Sequence, residues 1–240
     1  YIQALKLFED YFGRDKQIHS ITKSDVTNFK IEMRDNVKSR YNLPYELNTI
    51  NTYNNRLKLI YQEAQLDINI LTAVNHFKDG YFKVDDSKGE YINVEEFAQL
   101  DYNMCQNVYV AKAFMFSWLT GLRKSDIEKL KWNDVQRDEM GTHITITQKK
   151  TGKRVRVALS DEHMEILGKR KAGHMSLIPF VLTTTNNGYL NVWLAQNFPN
   201  KKIGQQRGRD GVKGLTFHSA RGSFITNYLI NGVAPTRVQT

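Results

Sequence analysis

"FSWLTGLRKSDIEKLKWNDV", residues 116–135, decides how this chain is read. Phe114 just upstream, with Trp118, Leu119, Leu122, Ile127, Leu130 and Trp132 inside the stretch, would bury well. In their midst stand Gly121-Leu122-Arg123, followed by the charges of Lys124 and Asp126. An arginine that interrupts an apolar run is expensive to bury unless it is paired. Two partners fit: a carboxylate of the fold itself, Asp126 or Asp134, or an external anion that bonds the guanidinium fork.

The rest of the chain favours an anion. Residues 1–90 hold 13 basic and 13 acidic side chains, so the whole net charge of +9 lies in residues 91–240. Such asymmetry points to a polyanion, nucleic acid first, although a solvated basic surface would look the same. At 240 residues, 40% hydrophobic and 25% charged, the chain reads as ordinary soluble globular protein in one large domain or two smaller ones. No apolar run approaches the roughly 18 residues that span a bilayer, and no secretory signal is visible, so a cytoplasmic protein without membrane contact is expected. A single cysteine, Cys105, excludes an internal disulfide and a Cys-rich zinc site. Beginning at Tyr1 rather than Met, the sequence reads as a trimmed fragment.

Hydrophobic spacing organises the two parts. Ile2, Leu5, Phe8 and Phe12 fit one helix, and Thr22 or Ser24 is placed to cap a second that carries Val26, Phe29 and Met33. After a polar loop over 39–48, Ile50, Tyr53, Leu57, Ile60, Tyr61 and Ala64 mark a third helix, and a shorter apolar segment follows at 68–77. This is the pattern of a small helical bundle. Residues 78–91 read as a connector, which sets domains at 1–85 and 91–240. In the second part Asn93 is placed to cap a helix, and a later helix carries Phe114–Trp118. Residues 142–159, "THITITQKKTGKRVRVAL", alternate as a β-hairpin around a basic turn at Lys149–Lys153. Residues 201–214 form a basic loop, and 215–233 a turn leading into a helix. The expected class is mainly α with a small antiparallel hairpin or sheet, α+β.

Three basic stations stand out: Arg123, the hairpin tip with Lys149, Lys150 and Lys153, and His218-Ser219-Ala220-Arg221. His218 and Arg221 are three apart and share a face if helical. A phosphate bonded to both guanidinium forks would explain two arginines beside apolar segments. The alternatives are ion pairs through Asp126 or Asp134, and a satisfied core histidine at 218.

Together "TGLRKSDIEKLKWNDV", "KKTGKRVRVALS" and "FHSARGSF" resemble the tyrosine recombinase, or phage integrase, family, and the resemblance spans nearly the whole chain. It implies a SAM-like helical core-binding domain followed by a DNA breaking-rejoining catalytic domain. It implies a site-specific recombinase of a phage or other mobile element, working through a 3′-phosphotyrosine intermediate without cofactor or metal. A type IB topoisomerase and a non-catalytic DNA-binding regulator on the same scaffold are the alternatives. By this likeness the catalytic residues are Arg123, Lys150, His218 and Arg221. Asp126 braces Arg123, and Lys124, Lys149 and Lys153 contact DNA. Lys23, Lys30, Arg34, Lys38, Arg40, Arg56 and Lys58 are candidates for a second DNA-facing surface. The implied partner is double-stranded DNA, with a tetramer on recombining DNA and a monomer free in solution. The nucleophilic tyrosine is expected on a helix beyond Thr240, which leaves Tyr228 as packing.

Overall fold

A computed structural model describes residues 1–39, 42–67, 74–78, 81–83, 89–170, 172–173, 175–204 and 213–234. The chain forms two compact units, Tyr1–Asp86 and Ser87–Thr240.

The first unit is helical: α1 Ile2–Phe12, α2 Lys23–Asp35 and α3 Leu47–Asp67. Thr22, rather than Ser24, caps α2. Its hydroxyl accepts from the Asp25 N–H at 3.1 Å while the Asp25 carboxylate accepts from the Thr22 N–H at 2.8 Å, so two orphan donors of the first turn are met reciprocally. Leu7, Val26, Phe29, Met33, Ile50, Leu57 and Tyr61 close the core, joined by Phe77. Asn51 matches its carboxamide to both backbone groups of Phe82, and Asn54 donates to the Phe77 carbonyl, which fastens 74–78 and 81–83 to α3. Of the seven basic residues that could gather on one helical face, three are drawn into the unit. Lys30 is 3% exposed, Arg34 pairs with Asp35 and lies over Phe82, and Arg56 lies over Tyr53. Position 30 falls on the same stripe as Val26 and Met33, which carries it inward. Arg40 and most of the apolar segment at 68–77 lie outside the described residues.

The second unit is built around one helix. After α4, Val94–Phe97, capped by Asn93 with Glu96 reaching back, comes α5, Val108–Thr120. Nine of its thirteen residues are buried, including Phe114, Phe116 and Trp118, so it is enclosed on nearly every side. The remaining elements are α6 Lys124–Ile127, β1 Val135–Asp138, β2 Gly141–Thr147, β3 Arg154–Ala158, α7 Asp161–Leu167, α8 Thr184–Asn197 and α9 Phe217–Ile230. The strands make an antiparallel sheet in the order β1-β2-β3. β2 and β3 are the expected hairpin, with Thr145 opposite Arg156. β1 extends it by one strand that alternation does not reveal, because "VQRD" buries no residue and only Val135 is partly covered. Phe97 stacks on Trp118 at 3.9 Å, and Phe217 at the start of α9 stacks on Phe180 at 5.8 Å while meeting Phe114 edge-on. Ile92 bolts the entering chain to both central helices. Its carbonyl accepts from Trp118 Nε1 and Asn227 Nδ2, and its N–H donates to Ser223 Oγ. Among the described residues no helix is long and apolar enough to cross a membrane.

Candidate functional site

The puzzle of Arg123 resolves at a helix break. α5 ends at Thr120, and Gly121 closes it in the left-handed conformation at φ 66°, its N–H donating to the Ser117 carbonyl. Glycine is needed twice over here: the backbone disfavours a side chain, and a Cβ would stand 2.6 Å from the Phe224 ring of α9. Leu122 turns inward, and Ser117 Oγ donates to its carbonyl at 2.8 Å. Arg123 then occupies the position before α6, half-buried. The arginine therefore lies between two helices rather than inside an apolar one.

Its partner is not a carboxylate. Arg123 Nη1 donates to Gln148 Oε1 at 2.8 Å, and among the described residues no carboxylate lies within ion-pair distance of Arg123 or Arg221. Asp134 instead accepts from the Lys131 N–H. Asp126 is 3% exposed, and its Oδ1 accepts from the Lys149 N–H at 3.0 Å. The acid of the TGLR box thus braces the turn of the hairpin rather than the guanidinium. Geometry decides this: Asp126 and Ile127 are the buried residues of α6, and there the carboxylate meets the turn that follows β2.

α9 brings in the second arginine. Ser219 Oγ accepts from the Thr216 N–H, starting the helix one residue before His218. Arg221 Nη1 donates to the Gly121 carbonyl, so the break that presents Arg123 also holds Arg221. The two charges sense each other. Burial, then the Arg123 charge, push the Arg221 guanidinium below its usual value, while Asp126 acts in the opposite sense. His218 is exposed, yet its pKa is lowered, first by desolvation of the ring and then by the charges of Arg221, Arg123 and Lys150. Lys150 is thereby placed within electrostatic reach of the same cluster. Lys149 and Lys153 are exposed on the turn, and Lys124 pairs with Glu128 at 3.5 Å.

A cleft of about 420 Å³ opens beside this cluster, and Gly121, Gln148, Val155, Arg221, Phe224 and Tyr228 are among the residues that line it. Tyr228 is no core residue. It is 45% exposed and rests its ring on Phe224 at 4.4 Å, because the last turn of α9 runs beyond the buried Asn227 to the surface.

Sequence reasoning missed two residues here. Gln148 had a signal: Ile144, Ile146 and Gln148 are spaced by two and all are buried, so a polar side chain stands at an inward position. His163 had none. Its Nδ1 accepts from the Ser160 N–H at 3.1 Å and meets Ser160 Oγ at 2.7 Å, and its ring lies edge-on to Phe116 of α5. Burial lowers its pKa, partly offset by the Leu119 backbone nearby.

The sequence model of the phage integrase family matches residues 91–240. No curated protein matches the sequence. Among solved structures, a lambda integrase dimer bound to a COC′ core site superposes with a TM-score of 0.67 at 16% identity, covering 100% of this chain and 84% of that one. A lambda integrase tetramer bound to a Holliday junction gives 0.66 at 16% identity, covering 100% and 68%. The Tn1549 transposon integrase in complex with a circular intermediate DNA gives 0.68 at 16% identity, covering 99% and 82%. At that identity these likenesses describe the fold alone.

Proposed function

The chain belongs to the phage integrase family, and from that premise we propose that it is a site-specific recombinase of a mobile element, cutting and rejoining duplex DNA through a 3′-phosphotyrosine link. The observation that carries this reading is a pair of half-buried arginines that donate to neutral oxygens, beside a histidine and a lysine. Neutral acceptors orient a guanidinium without cancelling its charge, which leaves both forks able to take a phosphate.

In the proposed step a tyrosine hydroxyl attacks the scissile phosphorus. The new bond joins tyrosine oxygen to phosphorus, and the bond to the 5′-oxygen breaks. Charge grows on the two non-bridging oxygens, where Arg123 and Arg221 act as an oxyanion hole does for acyl transfer. Lys150, on the hairpin turn, gives its proton to the leaving 5′-oxygen. His218 takes the tyrosine proton or bonds the phosphate. Its depressed pKa keeps the ring neutral near pH 7, the form that accepts a proton. The nucleophile is proposed to lie on chain beyond Thr240. The unit Tyr1–Asp86 is proposed as a DNA-clamping domain, and assembly into a tetramer on recombining DNA is proposed with it; lambda integrase has been seen as a tetramer on a Holliday junction.

Duplex retardation at several salt concentrations tests the reading. Affinity should fall with a log–log slope of roughly −0.9 for each phosphate neutralised. Arg123→Ala and Arg221→Ala should each weaken capture of a duplex while leaving the fold intact. A flat salt response, or variants that bind like the parent, would remove the DNA role.

A further inference from the structure

Gln148 stands where two parts of the site meet. It is 5% exposed, and its Oε1 accepts from Arg123 Nη1 at 2.8 Å and from Thr151 Oγ1 at 2.9 Å. Its backbone closes the hairpin turn: its N–H donates to the Lys153 carbonyl and its carbonyl accepts from the Gly152 N–H, both at 2.9 Å. The next residue, Lys149, donates its N–H to Asp126 Oδ1, and Lys150 follows. The turn bearing Lys150 is thus tied to the segment bearing Arg123 at two successive positions. One tie is a charge on a neutral amide oxygen. The other is a backbone N–H on a buried carboxylate.

These ties differ in how a phosphate would treat them. A phosphate oxygen arriving at Arg123 offers a charge-assisted bond roughly twice as strong as a neutral acceptor can give. It competes with Gln148 for the Arg123 Nη1–H, whereas the Asp126 tie is a backbone N–H bond in which Arg123 takes no part. We propose that Gln148 is a positioning residue that holds Arg123 as a placeholder for the scissile phosphate, so that phosphate capture releases one of the two ties on the Lys150 turn. This rests on the reading of the site as a phosphodiester site. It adds to that reading an ordering: the arginine is filled first, and the lysine turn gains its freedom as a consequence. The amide oxygen suits the role because it keeps the fork aligned and the Arg123 charge uncancelled.

The test is a titration of the whole chain with inorganic phosphate, followed through the side-chain Nε–H resonances of Arg123 and Arg221. Three variants divide the possibilities. Gln148→Met keeps the bulk and removes the acceptor; phosphate should bind about fivefold to tenfold more tightly, as the competitor is gone. Gln148→Glu replaces the neutral competitor with a charged one; binding should weaken by about tenfold or more. Thr151→Val removes the other bond to the same oxygen and should leave phosphate affinity unchanged. A purely structural Gln148 would give losses of the same sign in Met and Glu variants, and that result overturns the proposal. Phosphate that binds neither the parent nor Gln148→Met overturns it as well. If the parent retains salt-sensitive duplex binding in either case, only this inference falls and the recombinase reading stands. If duplex binding is also absent, both fall.

Discussion

Replacing Gly121 by alanine is the sharpest probe of how the site is held. Two separate penalties apply. Gly121 has φ 66°, and a residue with a Cβ in that conformation pays roughly 1–2 kcal/mol. The added Cβ would also lie 2.6 Å from Phe224 Cδ1 and 2.7 Å from Cε1, about 1 Å inside an ordinary carbon–carbon contact. Both lie along one edge of the ring, with Cγ itself at 3.2 Å, so relief requires the ring to rotate on its own helix or α9 to move. Overpacking of this kind typically amounts to about 1–3 kcal/mol. The sum is about 2–5 kcal/mol. In a Phe224→Ala background only the backbone share remains, so the coupling between the two substitutions should be about 1–3 kcal/mol. The three tryptophans, Trp118, Trp132 and Trp193, all belong to the unit Ser87–Thr240, so their fluorescence during urea unfolding follows that unit alone. A Gly121→Ala penalty that is the same with and without the Phe224 ring would refute the contact argument. The functional consequence should run in parallel, because a displaced α9 draws Arg221 away from the Gly121 carbonyl it binds.

Three further outcomes are expected. His163 has a folded pKa below its usual 6.5, so on acidification the unfolded chain takes up the proton first; stability contributed by the neutral ring is complete above about pH 6.5 and is lost as pH falls from there toward the folded pKa. His163→Asn should therefore lose less stability than the parent between pH 7 and pH 5 in urea titrations, and an unaltered pH slope would count against the buried neutral ring. Asp126→Ala strips the Lys149 N–H of its acceptor, with a destabilisation of about 1–3 kcal/mol and faster hydrogen exchange at that amide; unchanged protection there would show that the turn is held by other means. Lys201 binds Glu96 at 3.0 Å and the Tyr91 carbonyl at 2.9 Å, so Lys201→Met should destabilise the second unit by roughly 1–2 kcal/mol, less so in high salt, and a salt-independent loss would assign the effect to packing of its stem instead.

What the sequence disclosed and what it withheld divide along the reach of each interaction. Caps and periodicities act within a few residues. Asn93 and Glu96 therefore announce their helix, and alternation announces β2 and β3. The segments bearing Arg123, Lys150, His218 and Arg221 were likewise legible as three separate motifs. Their pairing was not. Arg123 meets Gln148 across 25 residues and Arg221 meets the Gly121 carbonyl across 100, and no local pattern states which acceptor an arginine will find. Asp126 shows the same limit. Three residues from Arg123, it looks like that arginine's partner, yet the fold gives it to a backbone N–H on the hairpin. Tyr228 stands at a position that resembles an apolar core site of the family, yet the last turn of α9 leaves it 45% exposed with its ring against Phe224.

The choice of partners matters more than their number. Had Asp126 or Asp134 paired with Arg123, the guanidinium would be neutralised as well as oriented, and an arriving phosphate would have to break an ion pair. Gln148 and the Gly121 carbonyl give orientation alone. The arginines then keep their mutual repulsion, which adds to burial in lowering the pKa of Arg221 and, in the same order, that of His218. That repulsion works against folding, and the packing of α5 against α9 around Phe114 and Phe217 is what holds the like charges together. On the proposed reading, an anionic oxygen pair entering the cleft would relieve the repulsion and fill both forks, and that difference between the empty and occupied site would supply the free energy for binding and for preferring a more highly charged transition state.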